Sequence, residues 1–282
     1  MTTDAAGTFA IGGDLVVQRL GYGSMRLCGP GVWHFHADRD RHHAVLRRAV
    51  ELGVTLFDTS DAYGPDVNEY QLCEVLKPYD GLCIATKGGL VRPNAQTWER
   101  IGRPDHLRVA LRNSLRRLEV EQIDLYQLHA PDPNVPLEEQ IGQLSRDREA
   151  GLIRHIGVSN FSLQQLKDAH AITPIATVQN RYNLTYRESE PVLEFCEANG
   201  IGFLPWYPLA AGALAEPGAL VDRIARKHGA TPSQVALAWL LAHSPVMLPI
   251  PGTSTVAHLE ENCAAGRLTL DAEDLAALDE AA

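Results

Sequence analysis

The chain has 282 residues, too many for a minidomain and suited to one large α/β domain. Its 45% hydrophobic and 21% charged content, with Gly 23 and Pro 17, excludes disordered and collagen-like chains. With 25 Lys plus Arg against 35 Asp plus Glu the net charge is −10, which argues against nucleic-acid or anionic-membrane partners.

Residues 1–10 lack a basic run followed by an apolar core, so no signal peptide is expected. The longest apolar run, Val235 to Ala242, is too short to span a bilayer. Cys28, Cys73, Cys83, Cys196 and Cys263 are odd in number and contain no C-x-x-C. Neither a disulfide framework nor a zinc site is expected, and reduced thiols in a cytoplasmic setting are.

In chain order, the first predicted element is a hairpin. Phe9–Ile11 and Leu15–Val17 flank Gly12-Gly13-Asp14. A strand follows at Leu20–Gly23. Val45, Ala49 and Leu52 then form a helical stripe that Gly53 stops. Strands are predicted at Thr55–Asp58 and Leu82–Thr86, then a helix on Leu107, Leu111, Leu115 and Leu118. After the strand Ile123–Leu128, Pro136 opens a helix with Glu138 and Glu139 in its first turn, and Gly151 ends it. The strand His155–Val158 leads to Ser162-x-x-Gln165, a capping box. Strands Thr177–Val178 and Ile201–Pro205 precede a second capping box, Thr231-Pro232-x-Gln234. The strand Val246–Ile250 is followed by a helix opened by residues 252–255, and Asp271 begins a last helix with Leu275 and Leu278.

Eight strand-like runs separated mainly by helices predict a (β/α)8 TIM barrel occupying residues 1–282 as a single domain. The hairpin is expected at its bottom, away from the chemistry. The rival is a doubly wound sheet with a Rossmann fingerprint. Gly21-Tyr22-Gly23 is followed by Arg26 where a third glycine belongs, so that fingerprint fails, and no P-loop motif is present.

Strand ends of such a barrel converge on one mouth. Here they carry Asp58 and Tyr63, Lys87, His129, Ser159-Asn160, Gln179-Asn180 and Trp206-Tyr207. Singly, an Asp caps turns, a Lys faces solvent, and a Tyr or His satisfies packing. Jointly they make chemistry. A phenol titrates near pH ~10, so Tyr63 needs help to give up a proton at neutral pH. An ammonium at Lys87 favours the phenolate, Asp58 holds that lysine, and His129 can donate to a carbonyl oxygen.

These residues resemble the aldo-keto reductase superfamily. The resemblance is carried by Phe57-Asp58-Thr59-Ser60-Asp61-Ala62-Tyr63-Gly64, Gly151 to Phe161, and Ile250-Pro251-Gly252-Thr253 with Glu261-Asn262, and runs through nearly the whole chain. It implies an NADPH-dependent carbonyl reductase without a Rossmann domain. Asp58, Tyr63, Lys87 and His129 match the catalytic tetrad, with Tyr63 as the acid. Ser159, Asn160 and Gln179 match an amide clamp on the nicotinamide, and Trp206 its stacking ring. Gly23, Ser24, Met25 and Tyr207 belong to the same implied cofactor set. Leu209 to Gly212 resembles the pyrophosphate loop. Gly252, Thr253, Ser254 and His258 fall where the resemblance places a phosphate, and Glu261 and Asn262 where it places adenine.

The chain departs from the family at Gly252 and His258, where Lys or Arg often grips the ribose 2′-phosphate. A weaker hold on NADPH is therefore expected, and NADH is not excluded. The substrate is expected to be a small carbonyl compound. Trp33 and Phe35, in the long loop Met25 to Arg39, are its expected walls. His34-x-His36 has no third ligand, so no metal is expected. Residues 19–25, 29–32, 230–241 and 250–261 resemble the bacterial pyridoxal reductase branch, which implies pyridoxal as one substrate candidate. Two other readings compete: a non-catalytic cofactor-sensing subunit of the same fold, and a Schiff-base lyase built on Lys87.

Overall fold

The computed structural model describes residues 3–209 and 219–280. It opens with an antiparallel hairpin, β1 (Thr8–Ile11) and β2 (Leu15–Gln18), turned by Gly12 and Gly13 at positive φ. Next come β3 (Tyr22–Gly23), α1 (Arg39–Glu51), β4 (Leu56–Asp58), α2 (Val67–Leu76) and β5 (Cys83–Gly88). A second hairpin, β6 (Leu90–Asn94) and β7 (Thr97–Arg100), precedes α3 (Pro104–Leu118) and β8 (Ile123–Leu128). Then α4 (Leu137–Glu149), β9 (Ile153–Ser159), α5 (Leu163–Ile172), β10 (Ile175–Gln179), α6 (Glu190–Asn199) and β11 (Gly202–Phe203) follow. The chain closes with α7 (Leu220–Lys227), α8 (Pro232–His243), α9 (Val256–Ala264) and α10 (Ala272–Glu280).

Seven strands form one parallel sheet in the order β11-β10-β9-β8-β5-β4-β3. The sheet curls into an α/β barrel. The eighth predicted strand appears only as separate hydrogen bonds. Phe203 N–H donates to Val246 O (2.8 Å), Leu248 N–H to Phe203 O (2.8 Å), and Gly21 N–H to Pro249 O (2.9 Å). Segment 246–249 thus touches both edges of the sheet. Pro249 and Pro251 have no N–H to give, so a regular ladder cannot form there.

An apolar cluster joins the bottom hairpin to the strands. Ile11 and Val17 pack with Leu56, Ala85, Leu125, Leu204 and Leu248, all buried. Helices shield the outer face. The stripe on α3 is fully used, with Leu107, Leu111, Leu115 and Leu118 buried. Both capping boxes form with reciprocal bonds, Ser162 with Gln165 and Thr231 with Gln234. Gly53 follows α1 at φ +83°, a conformation that costs a side chain dearly. Among the described residues no helix is long and apolar enough to cross a membrane. The five cysteines are free thiols, four of them buried.

Candidate active site

Strand geometry brings the four dispersed residues together. Asp58 ends β4, Lys87 lies in β5, His129 follows β8, and Tyr63 sits in the turn after β4. Asp58, Tyr63 and His129 line one cleft of about 1030 Å³, with Lys87 buried directly behind them.

Lys87 is 0% exposed. Its ammonium donates to Asp58 Oδ1 (2.6 Å), to the Thr59 carbonyl (2.8 Å) and to Tyr63 Oη (3.3 Å). Those are all the protons an ammonium has. Asp58 Oδ2 in turn accepts from Gln127 Nε2 (3.2 Å) and Gln179 Nε2 (2.8 Å). A buried ion pair survives only when its remaining lone pairs are met in this way. Burial pushes the Lys87 pKa down, but the charges of Asp58 and Tyr63 outweigh it, and the net direction is up. With no proton or lone pair to spare, Lys87 is a fixed cation and a poor Schiff-base nucleophile.

Burial raises the Tyr63 phenol above its ordinary value, and Lys87 only partly offsets this. The cation alone would lower the value, as the sequence suggests; desolvation of the phenol is the larger effect. His129 is driven well below the ordinary histidine range, first by burial and then by Lys87, so its ring is neutral. The two rings meet edge-on at 5.8 Å between centroids.

Beside them, Ser159, Asn160 and Gln179 are knitted together. Ser159 Oγ donates to the Gln179 carbonyl (2.8 Å), and Asn160 Nδ2 to the His129 carbonyl (3.0 Å) and Ser159 Oγ (3.1 Å). Trp206 Nε1 donates to Asn160 Oδ1 at 3.1 Å. The amide protons are thus largely committed, and what this trio offers a ligand is mainly acceptor oxygens. Trp206, Tyr207 and Leu209 continue the cleft wall. Gly212 lies outside the described residues.

At the other end of the cleft, Gly252, Thr253, Ser254 and His258 surround the start of α9, where Thr255 caps the His258 N–H (3.3 Å). Glu261 and Asn262 line the same end, with Glu261 Oε1 already accepting from Thr231 Oγ1 at 2.6 Å. Gly23 and Met25 line the cleft, but Ser24 does not. Ser24 is fully buried and bonds the Asp58 carbonyl (2.7 Å) and Asn68, so it braces β4 from behind.

Three features lay outside the sequence reading. Trp98, on β7, stands over the cleft mouth, with its ring 6.4 Å from Tyr63 and 6.5 Å from His129. Arg92 stacks on Trp98 at 3.7 Å and donates to the Gly31, Val32, Ala95 and Thr97 carbonyls, riveting the hairpin to the long loop. Trp33 and Phe35, the expected substrate walls, do not line the cleft. They pack under Arg92 and Arg39 instead. The second feature is Arg26, a cleft-lining cation whose Cγ lies 3.6 Å from where a Cβ on Gly252 would stand. The third is the reason for Gly252 itself. A Cβ there would stand 2.7 Å from the Gly23 carbonyl. Arg41 adds a further guanidinium, donating to the Ser254 carbonyl at 2.8 Å.

A barrel whose strand ends present a buried Asp–Lys pair against a tyrosine and a neutral histidine is built for carbonyl chemistry. Residues 19–282 match the Aldo/keto reductase family, and the chain belongs to it. Membership makes it an NAD(P)H-dependent oxidoreductase of a family whose cofactor is NADP(H). It is 49% identical over 275 residues to an uncharacterized oxidoreductase of Schizosaccharomyces pombe, covering 98% of this chain and 90% of that one. It is 42% identical over 285 residues to pyridoxine 4-dehydrogenase of Escherichia coli, covering 98% of each chain. Among solved structures it is similar to an aldo/keto reductase from Klebsiella pneumoniae in complex with NADP and acetate. That likeness has a TM-score of 0.83 at 27% identity and covers 97% of this chain and 94% of that one.

Proposed function

We propose that this chain is a single (β/α)8 domain that reduces an aldehyde or ketone to the alcohol with NADPH, using Tyr63 as the proton donor. The observation that carries the reading is the contact of Tyr63 Oη with Lys87 Nζ at 3.3 Å beside the neutral His129 ring. When bound, NADPH supplies a hydride to the carbonyl carbon. His129 donates a hydrogen bond to the carbonyl oxygen and polarises it. Tyr63 transfers its proton to that oxygen, and the resulting phenolate is held by the fixed charge of Lys87 until solvent returns a proton.

The cleft fits the cofactor at both ends. Ser159, Asn160 and Gln179 present acceptors for a carboxamide NH2, and Trp206 offers a flat face beside them. The N-terminus of α9, with Thr253 and Ser254, suits a phosphate. Arg26 replaces, from the loop after β3, the positive charge absent at Gly252 and His258. The NADP complex of the Klebsiella neighbour supports the same cofactor here.

For the substrate, the Escherichia coli relative supports pyridoxal, or another small aromatic carbonyl, and Trp98 supplies an aromatic wall at the mouth. The test is turnover of NADPH against a panel of aldehydes and ketones including pyridoxal, followed by loss of reduced-nicotinamide absorbance. Binding of NADPH without turnover on any carbonyl would favour the cofactor-sensing reading instead.

A further inference from the structure

His129 is neutral, so its ring carries one proton, on Nδ1 or on Nε2. Only the Nε2–H form can donate to a carbonyl oxygen in the cleft, because Nδ1 faces the protein. It lies 3.0 Å from Ser60 Oγ, a hydroxyl with 0% exposure. Ser60 Oγ also accepts from the Ala62 N–H at 3.1 Å and stands 3.2 Å from Asp61 Oδ1. A hydroxyl has one proton to give, so two networks compete. In one, Ser60 donates to Asp61, and His129 Nδ1–H donates to Ser60. In the other, Ser60 donates to His129 Nδ1.

We propose that Ser60 is a positioning residue that donates to His129 Nδ1 and thereby holds the ring proton on Nε2. This rests on the reading of His129 as a donor to the substrate oxygen. The geometry favours it, since the contact to the imidazole is the shorter of the two. The charges around Asp61 favour it as well. Arg117 is the cation that acts on that carboxyl, and it is already shared between Glu69 (2.5 Å) and Asp66 (3.0 Å). Glu69 is itself buried and also accepts from Thr86 Oγ1 at 2.5 Å. Desolvation, reinforced by the charge of Glu69, pushes the Asp61 carboxyl well above the ordinary range. A carboxyl whose charge is disfavoured by its surroundings is a weakened acceptor, and together with the shorter contact to the imidazole this directs the Ser60 proton to His129. The lysine and the histidine are then both set by neighbours from the segment 58–61, Asp58 and Thr59 for the one and Ser60 for the other.

The test is the tautomer itself. In protein labelled with 15N-histidine, two-bond 15N–1H correlations distinguish Nε2–H from Nδ1–H rings. The His129 signals are assigned by their loss in His129→Gln. Wild type is expected to show the Nε2–H form. Ser60→Ala is expected to show a mixture or the Nδ1–H form, with kcat reduced by roughly 10²–10⁴ and NADPH affinity unchanged within about 2-fold. Asp61→Asn, whose amide is neutral at every pH, is expected to keep the Nε2–H form. An Nδ1–H ring in wild type, or an unchanged ring in Ser60→Ala, overturns the proposal. The spectra do not depend on turnover. Failure of the underlying reading would show separately, as wild-type kcat in His129→Gln.

Discussion

Replacing Lys87 by Met removes the buried cation while keeping most of its stem. The ammonium stands 3.3 Å from Tyr63 Oη. At an effective dielectric of about 20, two full charges at that distance interact by about 5 kcal/mol. The transition state carries only part of a charge on the phenol oxygen, so about half of that is at stake. The expected loss in kcat is therefore on the order of 10². NADPH affinity should change by less than about 3-fold, because Lys87 lies behind the cleft and not in its wall. Folding should also suffer. Removing one partner of a buried pair costs roughly 3–5 kcal/mol. The amides of Gln127 and Gln179 still serve Asp58, so the lower end is expected. The Lys87 pKa is raised on folding, so the pair's stability is fully present below the ordinary lysine value of about 10.4 and is lost only above it. The gap between variant and wild type in denaturant midpoint should therefore be constant across neutral pH. A folded Lys87→Met that keeps kcat within about 5-fold would refute the role given to the ammonium.

Four further outcomes follow from the same geometry. His129 is held neutral by burial and Lys87, so kcat should show no inflection near pH ~6.5, where an ordinary histidine titrates. Because its folded pKa is depressed, its contribution to stability is lost as pH falls below that ordinary value, and His129→Gln should lessen the acid sensitivity of the denaturation midpoint. Trp98→Ala removes an aromatic wall of the cleft mouth, and should raise KM for aromatic carbonyls by about 5-fold, the ~1 kcal/mol of one ring–ring contact, while leaving NADPH affinity intact. Arg26→Gln should weaken NADPH binding by about 10-fold, more at low salt than at high, with a smaller effect on NADH; equal effects on both cofactors would remove Arg26 from the phosphate.

The Gly252 position shows where sequence reasoning reached its limit. The missing cation there suggests a weak hold on the cofactor. The fold shows that a side chain would strike the Gly23 carbonyl, and that Arg26, from another element, lines the same end of the cleft. A cation that reaches a site from another element leaves no mark at the position itself. Trp98 was hidden for a related reason. Its hairpin is short and broken by Pro93, so no alternation stands out, yet an Asx turn at Asn94 closes it. By contrast, the meeting of Asp58, Tyr63, Lys87 and His129 was legible because parallel strands deliver their C-terminal ends to one place whatever their spacing along the chain. Both capping boxes were legible because their bonds are local. The eighth strand was legible as an apolar run, but its prolines decide that only isolated bonds form. The direction of the Tyr63 shift was not legible, since it depends on how completely the fold dries the phenol.

Tyr63→Phe tests Tyr63 as the proton donor with one oxygen atom removed. The measurement is single-turnover oxidation of bound NADPH on mixing with pyridoxal or the best carbonyl of the panel, alongside NADPH affinity by fluorescence. The rate is expected to fall by roughly 10²–10⁴ at unchanged affinity, the range that loss of a positioned acid produces. Turnover of Tyr63→Phe at the wild-type rate would contradict it.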